Sequence, residues 1–489
     1  MKKLIASIMA VVVAAGCMSA CGNSTKQSSS GEKTNISFSF WEPGTSREFE
    51  TCLKKIKASY EELHPDVNIE LISQPVDGYQ EWIKAQMVAD SIPDIEVNHA
   101  NVLEEQYKAG YVVDISDDFN SENPYADNAV WKDCFGEGIL AQAHCYKYEP
   151  SYAVPFFASG LSMFYNKTLY DELNLEVPTT WKEFIANCEA IKNADKTPVA
   201  FMAQKQDAKT WLCWELEIGL FGKKLFADPN LNYNGDCSIT QNEVTKSVLS
   251  GYLDYTTNTE YREMYEKYME YYKQYLQYCP DAAGLDEAAA KTMFLSGNVG
   301  HIHTGSWDIQ SLIKNENIKF EVGTFPFPTF TEEESEYAGL KLNVASVQTL
   351  AVTSNVNKEE GKKEAVVDFV KYFTSPEVHK QFVNETMQIP VIKDIDVDPI
   401  FNGFLSPGYP PFSLFERGSQ KEGTSFTSLS EAVISGEKVD LNDSLFGELQ
   451  KSIYREAKDN AEQNGWNSEN DYGIPELYQI GGLYSSKAE

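Results

Sequence analysis

Positive charge is scarce in this chain. Its 489 residues carry 41 Lys and Arg against 73 Asp and Glu, a formal net charge of −32 at pH 7. Such a surface repels phosphate backbones, which argues against nucleic acid as a partner and favours solubility beside an anionic membrane. Cysteine is sparse and scattered, nine residues with no CxxC pair, so neither a disulfide framework nor a zinc site is signalled. Beyond the first residues no apolar run approaches the length that spans a bilayer. GxSxG and HExxH passages are absent, which removes the most recognisable hydrolase signatures.

The N-terminus says where the rest of the chain works. Lys2 and Lys3 precede an apolar run from Leu4 to Ala15 that is short for a membrane anchor, and small residues with a cysteine follow. This is the layout of a bacterial lipoprotein signal. Met18-Ser19-Ala20-Cys21-Gly22 resembles a lipobox with cleavage before Cys21 and lipid on its sulfur; Cys17, after Ala14-Ala15-Gly16, is the second candidate. Residues 1–20 are then the signal peptide and 21–35 a lipid-anchored flexible linker, its polar stretch running from Ser24 to Thr34. The expected location is the extracellular face of the cytoplasmic membrane, with the lipid as the only membrane contact. Losing residues 1–20, which hold two lysines and no acids, takes the net charge from −32 to −34.

Length implies two lobes. Ile36, Phe38 and Phe40 alternate with serines as a first strand ending at Trp41-Glu42-Pro43-Gly44. Thr45 and Glu48 form a capping-box pattern opening a helix through Phe49, Cys52, Leu53, Ile56, Tyr60 and Leu63, which His64-Pro65 stops. Val67–Leu71 is a strand, Gln80–Ala89 a helix, and Ile95–Val97 a third strand. That alternation predicts an α/β fold with a parallel sheet, whose ligands gather beyond the carboxyl ends of its strands. The ends to watch are therefore Trp41-Glu42 and Asn98-His99.

Several passages occur together and in order: Trp41 after an apolar strand, Ser91-x-Pro93-Asp94-Ile95, Ala109-Gly110-Tyr111-Val112, Phe164-Tyr165-Asn166-Lys167, Val177-Pro178-Thr179-Thr180-Trp181-Lys182-Glu183-Phe184, Phe294-x-Ser296-Gly297-Asn298, Gly305-Ser306-Trp307 and Ile389-Pro390-Val391. Over about residues 36–395 the chain resembles the extracellular sugar-binding proteins of ABC importers, the maltodextrin-binding-protein-like family 1. It departs from the family pattern at Gly300-His301-Ile302-His303, and 396–489 matches only loosely. The resemblance implies a two-lobed, type II periplasmic-binding-protein-like fold, each lobe a mostly parallel sheet flanked by helices and joined by hinge strands. It places lobe 1 at 36–153 and 329–374, and lobe 2 at 154–328 and 375–489, with crossings at Val154–Phe157, Val322–Pro328 and Phe373–Pro376.

A sugar presents ring hydroxyls and a weakly apolar C–H face, so its site needs aromatic platforms and hydrogen-bonding side chains. Trp41 and Trp307 are the expected platforms, with packed core tryptophan as the alternative for each. Glu42, Asn98 and His99 are positioned for hydroxyls, or else cap loops. Trp211 and Trp214, with Glu215, share one helix face that serves either the cleft or the core. Tyr409 lies on the rigid Pro407–Phe412 loop, which either walls the cleft or packs on the surface. Tyr261, Tyr265, Tyr268, Tyr272 and Tyr275 form a stripe that reads as packing. His301 and His303 share a strand face without an evident third ligand, and the Asn230-Asn232-Asn234 spacing lacks the charge of a calcium loop. No metal, cofactor or catalytic residue is expected.

The expectation is a non-enzymatic, monomeric binding lipoprotein that holds a carbohydrate, an oligosaccharide in the main reading, and delivers it to ABC permease subunits. Its rivals are the same fold with a peptide, polyamine or metal complex, an exported glycoside hydrolase using two carboxylates across a cleft, and a structural adhesin.

Overall fold

The computed structural model describes residues 33–41, 48–136, 139–140, 143, 150–233, 235, 239–313, 315, 318–342, 346–404, 412–419 and 423–474. Glu42, Thr45 and Tyr409 lie outside the described residues, as do Cys17, Cys21, Asn234 and residues 1–32 generally. No described helix is long and apolar enough to cross a membrane.

The strands among the described residues are β1 (Thr34–Trp41), β2 (Val67–Gln74), β3 (Ile95–His99), β4 (Val154–Ser159), β5 (Leu161–Asn166), β6 (Thr197–Ala200), β7 (Val299–Gly305), β8 (Val322–Phe325) and β9 (Ser346–Val352). They form two sheets, ordered β2-β1-β3-β9-β4 and β6-β7-β5-β8. Pairing is parallel for β1 with β2 and β3 and for β6 with β7, and antiparallel wherever β4, β5, β8 or β9 takes part otherwise. Only Gly160 separates β4 in the first sheet from β5 in the second. The chain therefore passes between lobes there.

In β1 the residues Ile36, Phe38 and Phe40 are fully buried. They face helices Glu48–Leu63 and Lys362–Phe373, whose phenylalanines interlock with those of β4 and helix Pro376–Thr386. Phe156 lies 5.0 Å from Phe373 and 5.1 Å from Phe382, and Phe49 lies 5.3 Å from Phe382. The Pro93-Asp94 passage fastens the strand starts. Asp94 Oδ2 accepts from the Ser37 amide and hydroxyl, both at 2.8 Å, while Oδ1 accepts from Asn355 Nδ2 at 2.7 Å and pairs with Lys362. In the second lobe, helix Gln206–Ala227 runs through the core beside helix Thr259–Leu276, whose tyrosine stripe is buried throughout. Trp181 packs on Phe330 at 4.9 Å and donates to Gln274 at 2.8 Å.

All three expected lobe boundaries move. Strand β4, expected to open lobe 2 at Val154, pairs with β9 in the first sheet, so the first crossing is at Gly160. Residues 329–342 stay with the second lobe: Thr329 bridges Thr180, while Phe330 and Leu340 cover Gly219 and Gly222 on the long helix. Helix Pro376–Thr386 belongs to the first lobe, because Phe382 fills its phenylalanine core. Ile389 exchanges backbone hydrogen bonds with Ala158, and Ile392 bridges Phe135, so the last crossing follows Lys393 rather than Phe373. By 400 the chain lies on the second lobe, where Thr324 Oγ1 donates to the Ile400 carbonyl and Phe404 packs on Phe164 at 5.8 Å.

Candidate functional site

The crossing point is a node. Gly160 N donates to Ser306 Oγ at 3.2 Å, and Ser306 N donates to the Gly160 carbonyl at 2.8 Å. On the other side Ser159 pairs in register with Ser346 of β9, whose hydroxyl lies 3.5 Å from His99 Nδ1. Aromatic groups from both lobes therefore flank one pair of residues, Ser159 and Gly160.

On the first lobe, the half-buried Trp41 ends β1. Its ring lies 5.0 Å from Tyr79 and 6.0 Å from His99. His99 stands at the N-cap position of the helix Ala100–Lys108, its side chain making no cap bond, and keeps an exposed edge, yet surrounding protein desolvates its ring and lowers its pKa. Across the sheet its partner is Gln348, which is buried with its Oε1 unpartnered. Asn98 departs from expectation. It is fully buried, with Oδ1 taken by Gln80 Nε2 at 2.9 Å and the His99 amide at 3.0 Å, and its carbonyl accepts from Thr349 at 2.7 Å. The β-strand alternation turns it inward, toward Glu96 and Gln80, so it is a framework residue. Glu96 is fully buried as well; desolvation raises its pKa to about 7 despite hydrogen bonds from Asn98 and Gln106.

On the second lobe, Trp307 follows β7 in the turn Ser306–Asp308 and folds back over Gly305, where a Cβ would strike the indole. Only glycine permits that fold-back. Trp307 is half-buried, and its ring meets Trp211 at 5.4 Å. Trp211 is 8% exposed, so it presents at most an edge. The pair is braced from behind. Lys205 Nζ sits 5.2 Å over Trp211 and bonds Glu287, which also holds Lys291; Lys291 bonds Asp308 at 2.5 Å, and Asp308 accepts from Thr304 at 2.6 Å. Burial works against the charge of Lys291, but Asp308 and Glu287 overcome it and hold its pKa above the ordinary value.

One turn beyond Trp211, Glu215 faces His303 of β7, with Oε1 and Nε2 3.8 Å apart. Both are almost wholly buried. Burial raises the Glu215 pKa against the opposing charge effects of His303 and Lys341. Trp214 beside them is half-buried against the core.

The structure thus brings Trp41 and His99 to one side of the node and Trp307 and Trp211 to the other. Sequence reasoning passed over Gln348 and treated His303 only as a possible metal ligand. The breach of pattern at Gly300–His303 was the available signal for His303; Gln348 left none. Among the described residues, no group of three or more His, Cys, Asp or Glu is arranged to hold a metal. A separate depression lined by Asn166, Lys196, Ser296 and Lys319 lies at the far end of β5 from Gly160 and has no share in this cluster.

A family model described as bacterial extracellular solute-binding protein matches residues 43–380. A multiple sugar-binding protein of Streptococcus mutans is 23% identical over 395 residues, covering 78% of this chain and 80% of that one. A chitin oligosaccharide binding protein superposes with a TM-score of 0.60 at 18% identity, covering 88% of this chain and 100% of that one. The GacH receptor of Streptomyces glaucescens, known unliganded and with acarbose, gives 0.58 at 16% identity, covering 87% and 99%. At such identities these structures share the fold, a two-lobed type II binding-protein architecture.

Proposed function

From the premise that this chain belongs to the bacterial extracellular solute-binding protein family, we propose that it captures a carbohydrate, an oligosaccharide in the simplest reading, between its lobes and passes it to an ABC permease. The observation that carries the reading is the convergence of Trp41 with His99 and of Trp307 with Trp211 on opposite sides of Ser159–Gly160. Indole faces suit the C–H face of a sugar ring, and polar edges beside them suit its hydroxyls. The S. mutans relative, named for binding multiple sugars, supports the same ligand class.

Binding works by population. Open and closed arrangements of the lobes exchange about the crossing strands, and a ligand that touches both lobes favours the closed one by its differential affinity. The permease reads the closed form. No bond is made or broken in the ligand, and the chain works as a monomer tethered through lipid on Cys21.

A thermal-shift screen of the chain from about residue 33 tests the ligand class, using mono- and oligosaccharides with amino acids, polyamines and metal ions as controls. A ligand stabilises the fold according to its concentration relative to its Kd. A rise in Tm with one sugar class, and recovery of that sugar intact after hours, supports the reading. Response to a control alone removes the carbohydrate assignment, and loss of the sugar removes the claim that nothing is cleaved. For the anchor, Cys21→Ala is expected to move the chain from the membrane fraction to the medium; retention on the membrane would transfer the lipid to Cys17.

A further inference from the structure

The two histidines of β7 sit on one strand face with opposite fates. His301 is fully satisfied: Nδ1 lies 2.8 Å from the Pro198 carbonyl, so it is the donor, and Nε2 lies 2.5 Å from Tyr170 Oη, from which it accepts. Burial lowers its pKa to about 4, and it is a fixed part of the core. His303 is only 4% exposed, its ring lies 5.4 Å from Phe327, and its Nε2 has no hydrogen-bond partner. The nearest acidic group, Glu215 Oε1, is 3.8 Å away, beyond hydrogen-bond range. A buried polar atom left unpaired is costly, and such atoms call for an explanation.

We propose that Glu215 and His303 are specificity-determining residues that together grip one ring hydroxyl of a neutral glycan stacked at Trp307. This rests on the carbohydrate reading above and names the group recognised. An oxygen about 2.8 Å from each atom, the usual hydrogen-bond length, closes a triangle on the 3.8 Å gap. A hydroxyl is suited to that place because it donates and accepts at once: it donates to the carboxylate and accepts from the Nε2–H of His303. The pair also lies close to the two tryptophans in the fold. Glu215 is one helical turn from Trp211, Trp211 touches Trp307, and Trp307 is four residues beyond His303. A ring with hydrogen or an O-alkyl group there leaves the buried pair unmatched. A carboxylate there meets the charge of Glu215. The selected ligands are therefore neutral glycans with that hydroxyl free.

The test titrates the secreted full-length chain calorimetrically with raffinose, maltotriose, chitotriose and xylotriose. Glu215→Met and His303→Leu keep volume but remove the acceptor or donor. They are expected to lose about tenfold or more in affinity with little change in unliganded Tm, while Glu215→Gln and His303→Gln retain most of it. A purely structural role would move Tm and leave that conservative rescue absent. Equal affinity in all four folded variants overturns the proposal and leaves the carbohydrate reading standing; the gap is then a water site. If wild type binds none of the four, the titration uses the sugar found in the thermal-shift screen, and the proposal and that reading both fall if that screen finds no sugar. Where a variant does not fold, monodeoxy and mono-O-methyl forms of the bound sugar decide on wild type. One position is expected to lose about a hundredfold or more, as when a site built around a hydroxyl meets an analogue lacking it; equal binding of every analogue overturns the proposal.

Discussion

The first lobe's core around β1 is built of phenylalanine, while the second sets a stripe of buried tyrosines among its phenylalanines, and the difference reaches beyond composition. Around β1, Phe38, Phe49, Phe156, Phe373 and Phe382 meet ring to ring with no polar atom to satisfy. In the second lobe, Tyr255, Tyr265, Tyr272 and Tyr275 are buried with hydroxyls that have no partner, while Tyr261 donates to Asp228 at 2.9 Å. Glu217 is fully buried there too, accepting from the Leu414 and Phe415 amides and the Ser413 hydroxyl, its pKa raised to about 7 by burial. A hydrocarbon core gains from nearly every contact, whereas a tyrosine core gives part of that gain back in desolvated hydroxyls. The lobe with the more polar core is also the one that holds the Trp211–Trp307 pair and the Glu215–His303 gap.

Substitutions can break this contrast. The largest effect is expected from Phe382→Ala, which opens a cavity where three elements of the first lobe meet and should cost about 3–5 kcal/mol in denaturant unfolding. A loss below about 1 kcal/mol would mean that the phenylalanine core is loosely held.

Next comes Glu96→Gln, aimed at the buried acid of the first lobe. Its folded pKa of about 7 exceeds the unfolded value of 4.5, so the unfolded chain binds fewer protons between those limits. The stability contribution is fully present below about pH 4.5 and is lost as pH rises through about 7, by about 3 kcal/mol. Stability measured from pH 4.5 to 8 should fall less steeply in the variant; an unchanged slope would assign the pH dependence to other acids, Glu217 among them.

Trp307→Ala tests the ligand side of the comparison. Because Trp307 is half-buried, the fold should survive, while affinity for whichever sugar binds wild type should drop about tenfold or more in calorimetric titration. Unchanged affinity in a folded variant removes Trp307 from the site. The smallest effect is expected from Tyr272→Phe, which deletes an unpartnered hydroxyl and should be neutral or stabilising by up to about 1 kcal/mol. A clear destabilisation would show that the tyrosine core is hydrogen-bonded after all.

How far the sequence revealed these features followed the range of the forces involved. The opening strands and the tyrosine stripe are written in local periodicity, and each has its element at that place. All three crossings lie later than local pattern places them: β4 joins the first sheet only through β9, and nothing local distinguishes Pro376–Thr386 as a first-lobe helix until Phe382 meets Phe49. Asn98 was legible as a strand end but not as a residue whose side chain is already engaged by Gln80. His303 showed a break in pattern, while its partner Glu215 stands 88 positions earlier on another element. Position can be read from one segment; partnership needs two.

The reciprocal bonds between Gly160 and Ser306 set a lever. In any rotation of one lobe against the other, displacement grows with distance from the axis, and Trp307 is tied one residue from the crossing point. With the axis at this crossing, its indole would shift least as the lobes swing, and groups at the outer rim would sweep furthest. On the proposed reading, a ring resting on Trp307 would keep its berth through opening and closing, so that entry and exit are governed at the mouth while identity is read at the pivot.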